Sequence, residues 1–143
     1  MSDKSHTRTV LQDASIRLAT QDGNFTFSRL RPGVLLVTVV GHDRGEFGSA
    51  TLDEITAVLN RERPITVFVD TRGALSVAPT VRDDWTRFLS SNRVNLLSVH
   101  VLTSSKAVHL SVAVAQHFSA TGNLIRLYSS AETFQARLAN ATA

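Results

Sequence analysis

The side chains able to bind soft metals in this chain of 143 residues are its five histidines, because there is no cysteine. The missing thiols exclude disulfides, thiol nucleophiles and cysteine-based zinc or iron–sulfur sites. His109 and His117 fall on one polar strip of an expected helix. They are two turns apart, about 12 Å along the axis, whereas paired helical metal ligands sit at i and i+4. The i+4 residue here is Ala113, and no H-E-x-x-H spacing occurs. His100 lies within an expected strand, His6 in a tail and His42 in a loop. No metal site is expected.

Nucleophilic and phosphate-binding patterns are also lacking. There is no G-x-S-x-G elbow. Gly41, Gly45 and Gly48 are spaced G-x-x-x-G-x-x-G, without the G-x-G core or the Lys-Ser/Thr that cradles phosphates. They read as a loop. The adjacent acids Asp53 and Glu54 fall in an expected first helical turn, and Asp83 and Asp84 near the start of the second helix, where carboxylates complement the helix dipole. The expectation is therefore no catalytic residue, no cofactor and no enzyme.

The elements that hold these residues follow from length and patterning. One domain is expected, since 43% of residues are hydrophobic and 19% charged, enough for a real core. The net charge is +3. The pI of about 10.2 overstates this, because a few surplus arginines move pI strongly. Basic residues are scattered with no run of four, so nucleic acid is not an expected partner. No apolar run approaches the roughly 18 to 20 residues of a membrane span. Met1–Thr9 is polar and mixed in charge, with no signal-peptide core behind it. A cytoplasmic protein is expected.

Residues 1–14 read as a flexible tail and 15–143 as a single domain. Ser15–Thr20 and Phe25–Arg31 flank Gln21-Asp22-Gly23-Asn24, a hairpin turn signal. Val34–Val40, apolar on both faces, reads as a central strand that stops at Gly41. Thr51 and Glu54 have capping-box spacing, with Leu52, Ile55, Val58 and Leu59 on one face of a helix to about Arg61. Ile65–Val69 is the next strand, closing on Asp70, and residues 71–79 read as loop. Val81, Trp85, Phe88 and Leu89 place a second helix over about Pro79–Ser91, with Trp85 as a core anchor. Leu96–Leu102 is a strand and Lys106–Ser119 a helix with a wide apolar arc, stopped by Gly122-Asn123. Leu124–Tyr128 and a terminal helix over Ala131–Ala139 complete the chain. Strand–helix alternation of this kind implies an α/β fold with a largely parallel sheet and about four helices.

Binding sites in open α/β sheets lie beyond the carboxyl ends of the strands, where helix N-termini offer free N–H groups. Here that region is Asp70 to Thr80. The opening hairpin, the strand ending in Gly41, and Val67-Phe68-Val69-Asp70-Thr71-Arg72-Gly73 leading into a helix resemble the STAS domain (sulfate transporter and anti-sigma factor antagonist). The resemblance is to its stand-alone, SpoIIAA-like bacterial members and covers about Ser15 to Leu138. It implies a mixed sheet with packed helices and a regulatory protein-binding role, with an anti-sigma factor or kinase as partner. Asp70, Arg72, Gly73, Ser76, Pro79, Thr80 and Asp83 are the implied partner-binding or regulatory residues.

In the switch members of that family an Asp precedes a phosphorylated Ser at the start of the second helix. An ungapped comparison puts Ala78 and Pro79 at those positions, with Thr80 next. Either Thr80 or Ser76 has taken the role, or the chain lacks the switch. The second reading is favoured, because Thr80 has a sufficient structural role near a helix start. The alternative function is a small-molecule or lipid carrier of SpoIIAA-like or Sec14-like type. A homodimer through the wide apolar arc of Lys106–Ser119 is a further expectation.

Overall fold

The structure, a computed structural model, describes residues 6–104 and 124–143. Thr7–Val10 (β1), Ile16–Ala19 (β2), Gly23–Arg31 (β3) and Val34–Asp43 (β4) form an antiparallel meander. From β4 the sheet continues in parallel through Ile65–Val77 (β5), Leu96–Leu102 (β6) and Ile125–Tyr128 (β7). The seven strands lie in chain order across the sheet. The described helices are Ala50–Glu62 (α1), Pro79–Ser91 (α2) and Ala131–Thr142 (α3), with a 3₁₀ turn at Arg93–Asn95. The expected helix at Lys106–Ser119, with His109 and His117, lies outside the described residues.

Alternation along the strands divides the apolar residues between two cores. Ile65, Val67 and Val69 of β5 join Ile55, Val58 and Leu59 of α1 and Leu89 of α2 on one face. Phe68 of the same strand meets Val34, Leu102 and Phe134 of α3 on the other. That is why β5 begins as an almost wholly apolar run, Ile65-Thr66-Val67-Phe68-Val69: both of its faces are covered.

The sheet is half antiparallel, which corrects the expected largely parallel arrangement. Residues 7–10, inside the segment read as a tail, supply an edge strand, so the hairpin grows into a three-step meander. Gly41 does not end β4. Its φ is +83°, and a Cβ there would sit 2.2 Å from the Asp22 carbonyl oxygen. Glycine thus lets the β2–β3 turn press against β4, and the strand runs on to Asp43. Likewise β5 passes Asp70 and continues to Val77, because Val40, Gly41, His42 and Asp43 of β4 pair with Gly73, Ala74, Ser76 and Val77. The loop expected at 71–79 is mostly strand.

The expected capping box does not form. α1 starts at Ala50 with no side-chain cap, and Thr51 is buried. Glu54 instead accepts from Nε of Arg8 at 2.7 Å, tying β1 to the helix. α2 begins at Pro79, as its sequence predicts, since the missing proline N–H is one of the unsatisfied donors of a first turn.

Candidate partner-binding site

The carboxyl ends of β4 and β5 and the first turns of α2 come together at one edge of the molecule. The Ala78 N–H donates to the Asp43 carbonyl at 2.8 Å, which fixes the start of α2 against the end of β4. Ser76 Oγ lies 2.6 Å from Nδ1 of His42 on the neighbouring strand. Pro79, Thr80 and Asp83 are exposed on α2. Asp83 Oδ1 takes a long contact of 3.4 Å from Nε of Arg82.

Asp70, Arg72 and Gly73 stand apart from that edge. Strand alternation sends Asp70 and Arg72 to the sheet face opposite Val69 and Thr71. Arg72 Nη2 reaches Asp70 Oδ2 at 2.8 Å, and the Arg72 N–H donates to Oδ1 at 3.0 Å. Burial would raise the Asp70 carboxyl, but the hydrogen bonds and charge of Arg72 outweigh it and hold the group below its ordinary range. The Arg72 carbonyl also accepts from Ser104 Oγ at 3.1 Å. A side chain at Gly73 would press on Val40 at 3.1 Å, so glycine allows β4 and β5 to approach. The seven residues singled out in the sequence therefore divide: Ser76, Pro79, Thr80 and Asp83 near the outer edge, and Asp70, Arg72 and Gly73 bracing the strand.

Thr80 does not cap α2. The cap position is Ala78, without a side-chain bond, and the Thr80 hydroxyl has no hydrogen bond among the described residues. The structural role expected for it is absent.

Sequence reasoning missed a cavity of about 100 Å³ between α2 and the sheet. Val39, Val69 and Val101 form part of its floor and Val81 and Trp85 part of its roof, with Asp43 and Arg82 also on its lining. Trp85 is half-buried there rather than sealed in the core, its ring stacked 6.5 Å from Phe25. Asp43 is 3% exposed. Burial is the largest influence and pushes its carboxyl up; the Gly45 N–H at 3.0 Å opposes this, and the charge of Glu46 adds to it. The signal for this site was the segment Gly-His-Asp-Arg-Gly, which conceals a strand end bearing a buried acid.

A second cluster is built into the sheet. His100 stacks on Phe68 at 4.5 Å, with Ser98 Oγ 2.9 Å from Nε2 and Tyr128 Oη 2.8 Å from Nδ1. Burial first, then the charges of Arg126 and Arg137, lower its pKa to about 4, so the ring is neutral at pH 7. None of these three residues lines the cavity, and their bonds serve to satisfy a buried imidazole. Among the described residues no three His, Asp or Glu side chains converge as a metal site would require.

Comparison with known proteins places this geometry. No family model and no curated protein sequence matches the chain. The crystal structure of an anti-sigma factor antagonist from Mycobacterium paratuberculosis superposes with a TM-score of 0.59 at 15% identity, over 85% of this chain and 97% of that one. A protein of the DUF3478 family with a SpoIIAA-like fold, from Shewanella loihica, superposes with a TM-score of 0.52 at 14% identity, over 96% and 98%. The antiparallel meander, the parallel half and the helices on both faces are thus a SpoIIAA-like fold.

Proposed function

We infer that this chain acts by docking a protein partner, of the anti-sigma factor or kinase class, and not by catalysis. The observation that carries this reading is the fold it has in common with an anti-sigma factor antagonist over nearly the whole of both chains. The docking surface we assign is the outer edge formed by the end of β5 and the first turns of α2. Leu75 is 62% exposed there, and Pro79, Thr80 and Asp83 are exposed beside it. An exposed leucine with a polar rim matches the usual anatomy of a protein interface. Among the described residues no helix is long and apolar enough to cross a membrane. A cytoplasmic setting fits this role.

The reading includes the absence of the standard phosphorylation switch, since Ala78 and Pro79 occupy its positions. The lipid-carrier alternative has less support. The wholly apolar cavity under α2, about 100 Å³, is smaller than the roughly 150 Å³ that holds one benzene and has no room for an acyl lipid, while the larger cleft of about 460 Å³ beside α1 is lined in part by Arg8, Asp13, Arg29, Glu54 and Arg61, a charged wall unsuited to an acyl chain. The test is calorimetric titration of the purified chain with an anti-sigma kinase from the same genome. Saturable heat that disappears in Leu75→Glu and Thr80→Arg supports the docking surface. Undiminished binding by both variants moves the interface elsewhere, and no heat with any such kinase refutes the partner class.

A further inference from the structure

We propose that the cleft between α1 and the antiparallel meander binds a free α-amino acid with an aromatic or branched side chain, its carboxylate on Arg61 and its ammonium group on Asp13. The cleft holds about 460 Å³, within the size range of small-molecule sites. One stripe of α1, Glu54, Ala57, Val58 and Arg61 at helical spacing, forms a wall. Across from it stand Asp13 and Ala14 of the β1–β2 turn and Ile16, Phe27 and Leu35 of the next three strands. Ile16 and Phe27 are register partners. Phe27, Leu35 and Val58 are buried, so the floor is apolar while the rim is ionic. A ring or branched alkyl group laid on that floor leaves water, which the hydrophobic effect favours.

The two charges are argued from which ionic groups are already committed. Nε of Arg8 donates to Glu54 at 2.7 Å and Nε of Arg29 to Glu62 at 2.5 Å. Each pair ties a strand to α1 and neutralises itself. Arg61 makes no hydrogen bond or ion pair among the described residues, and its charge acts on Glu62 only through space. Asp13 accepts from the Ser15 N–H at 3.0 Å and meets no cation among the described residues. Hydrogen bonds from Ser15, its backbone first, hold the Asp13 carboxyl below its ordinary range, so it is ionised at pH 7. One open cation and one open anion on the same lining match a zwitterion. A ligand with a single charge would serve one and leave the other unpaired.

The turn that carries Asp13 is itself costly. Ala14 has a φ of +67°, the one positive value at a non-glycine among the described residues. Its N–H donates to the Leu11 carbonyl at 2.9 Å, and the Leu11 N–H to the Ser15 carbonyl at 2.8 Å. Alanine is strained where glycine would be free, and such strain collects at ligand sites. No residue of this cleft belongs to the docking edge, so the inference goes beyond the partner reading and does not depend on it.

The probe is L-phenylalanine, titrated into the full chain and followed by amide and methyl NMR shifts. Phenylpropionate lacks its ammonium group and phenethylamine its carboxylate. Phenylalanine should shift the Asp13 and Ala14 amides and the Ile16, Leu35 and Val58 methyls saturably, with a Kd of about 1 mM or lower for a ligand of this size. Each analogue should bind at least about tenfold more weakly, the worth of one charge-assisted contact. Asp13→Asn keeps an acceptor for Ser15 and should bring phenylpropionate within about threefold of phenylalanine, and Arg61→Gln should do the same for phenethylamine. Ala57→Phe, at an exposed position of α1, should obstruct the cleft and abolish binding without disturbing the core. The proposal is overturned if phenylalanine gives no saturable shift at these residues up to its solubility limit. Analogues that bind as tightly, or preferences unchanged in the two charge variants, overturn it equally. Stability losses of Asp13→Asn and Arg61→Gln that fail to add in the ligand-free chain would show the two side chains closing on each other, which also refutes the site. Loss of kinase binding in Leu75→Glu has no bearing on these readouts, so the two ideas fail separately.

Discussion

Ser76 Oγ and His42 Nδ1, 2.6 Å apart, tie the carboxyl end of β5 to that of β4, just before the chain enters α2. The pair exists only because both strands run past the points where glycine and charge would ordinarily end them. Gly41 and Gly73 permit the backbones to approach, and the residues beyond them stay in register. Ser76 is therefore a structural tie in the folded chain.

Removing that tie should cost about 1 kcal/mol, the usual net worth of one hydrogen bond. Ser76→Ala and His42→Ala should each shift the urea midpoint by a corresponding amount. The double variant should lose little more than either single one, because the two share a single interaction. Fully additive losses would mean the contact contributes nothing.

Trp85 roofs a cavity instead of filling the core, so Trp85→Ala should cost about 2 kcal/mol, below the 3 to 5 of a fully buried large aromatic. Its fluorescence should be quenched by acrylamide to a degree between that of free tryptophan and a sealed one. A blue-shifted, quench-resistant emission together with a larger loss would place it in the core after all.

The pH dependence of stability should bear the mark of His100. Its folded pKa of about 4 lies below the ordinary 6.5, so between these values the unfolded chain binds a proton that the native chain does not. Stability then rises with pH across this window. The loss on acidification from pH 7 to 4 should be on the order of 2–3 kcal/mol from this residue, levelling off below pH 4. His100→Gln should flatten the slope of the urea midpoint between pH 4 and 6.5. An unchanged slope would show that the imidazole titrates normally.

Asp43 contributes with the opposite sign. Its raised carboxyl means the native chain holds a proton longer than the unfolded one. Stability from this group is present at low pH and is lost as pH rises from the ordinary carboxylate range through the raised value. Asp43→Asn retains an acceptor for Gly45 and removes the buried charge, so it should be more stable than the parent at pH 7 and gain nothing at pH 3. Urea denaturation at the two pH values decides this, and a destabilised variant at pH 7 would show that the charge is paid back by its surroundings.

The three described helices were legible in the sequence because apolar spacing and Pro79 state them locally. The ends of β4 and β5 were not, since Gly41, Asp70 and Gly73 are individually turn-like and only their mutual pairing makes them strand. Thr7–Val10 escaped for the same reason: all four residues are exposed, and what holds them is pairing with β2 and the Arg8–Glu54 contact. The cavity was illegible because it depends on Val81 and Trp85 standing over three strands distant in sequence. Periodicity reports which face of a helix is apolar and is silent on how completely that face is filled.

The last prediction is that no kinase switch operates at the start of α2, although Thr80 lacks the structural role that favoured this reading. Ser76 is engaged with His42, so its phosphorylation would first have to break that contact and place about two negative charges between β4 and β5. Thr80 is another matter: it is exposed and its hydroxyl is free among the described residues, so access does not protect it. Electrostatics is divided, since the α2 N-terminus and Arg82 attract a phosphate while Asp83 and Asp84 repel it. What argues against a switch is the ungapped comparison with the switch members of the resembling family, which puts proline at the acceptor position and alanine at that of the preceding acid. Incubation with an anti-sigma kinase and ATP should leave both residues unmodified by intact-mass spectrometry. Stoichiometric phosphate on Thr80 would restore the switch one residue along from the position that the resemblance implies.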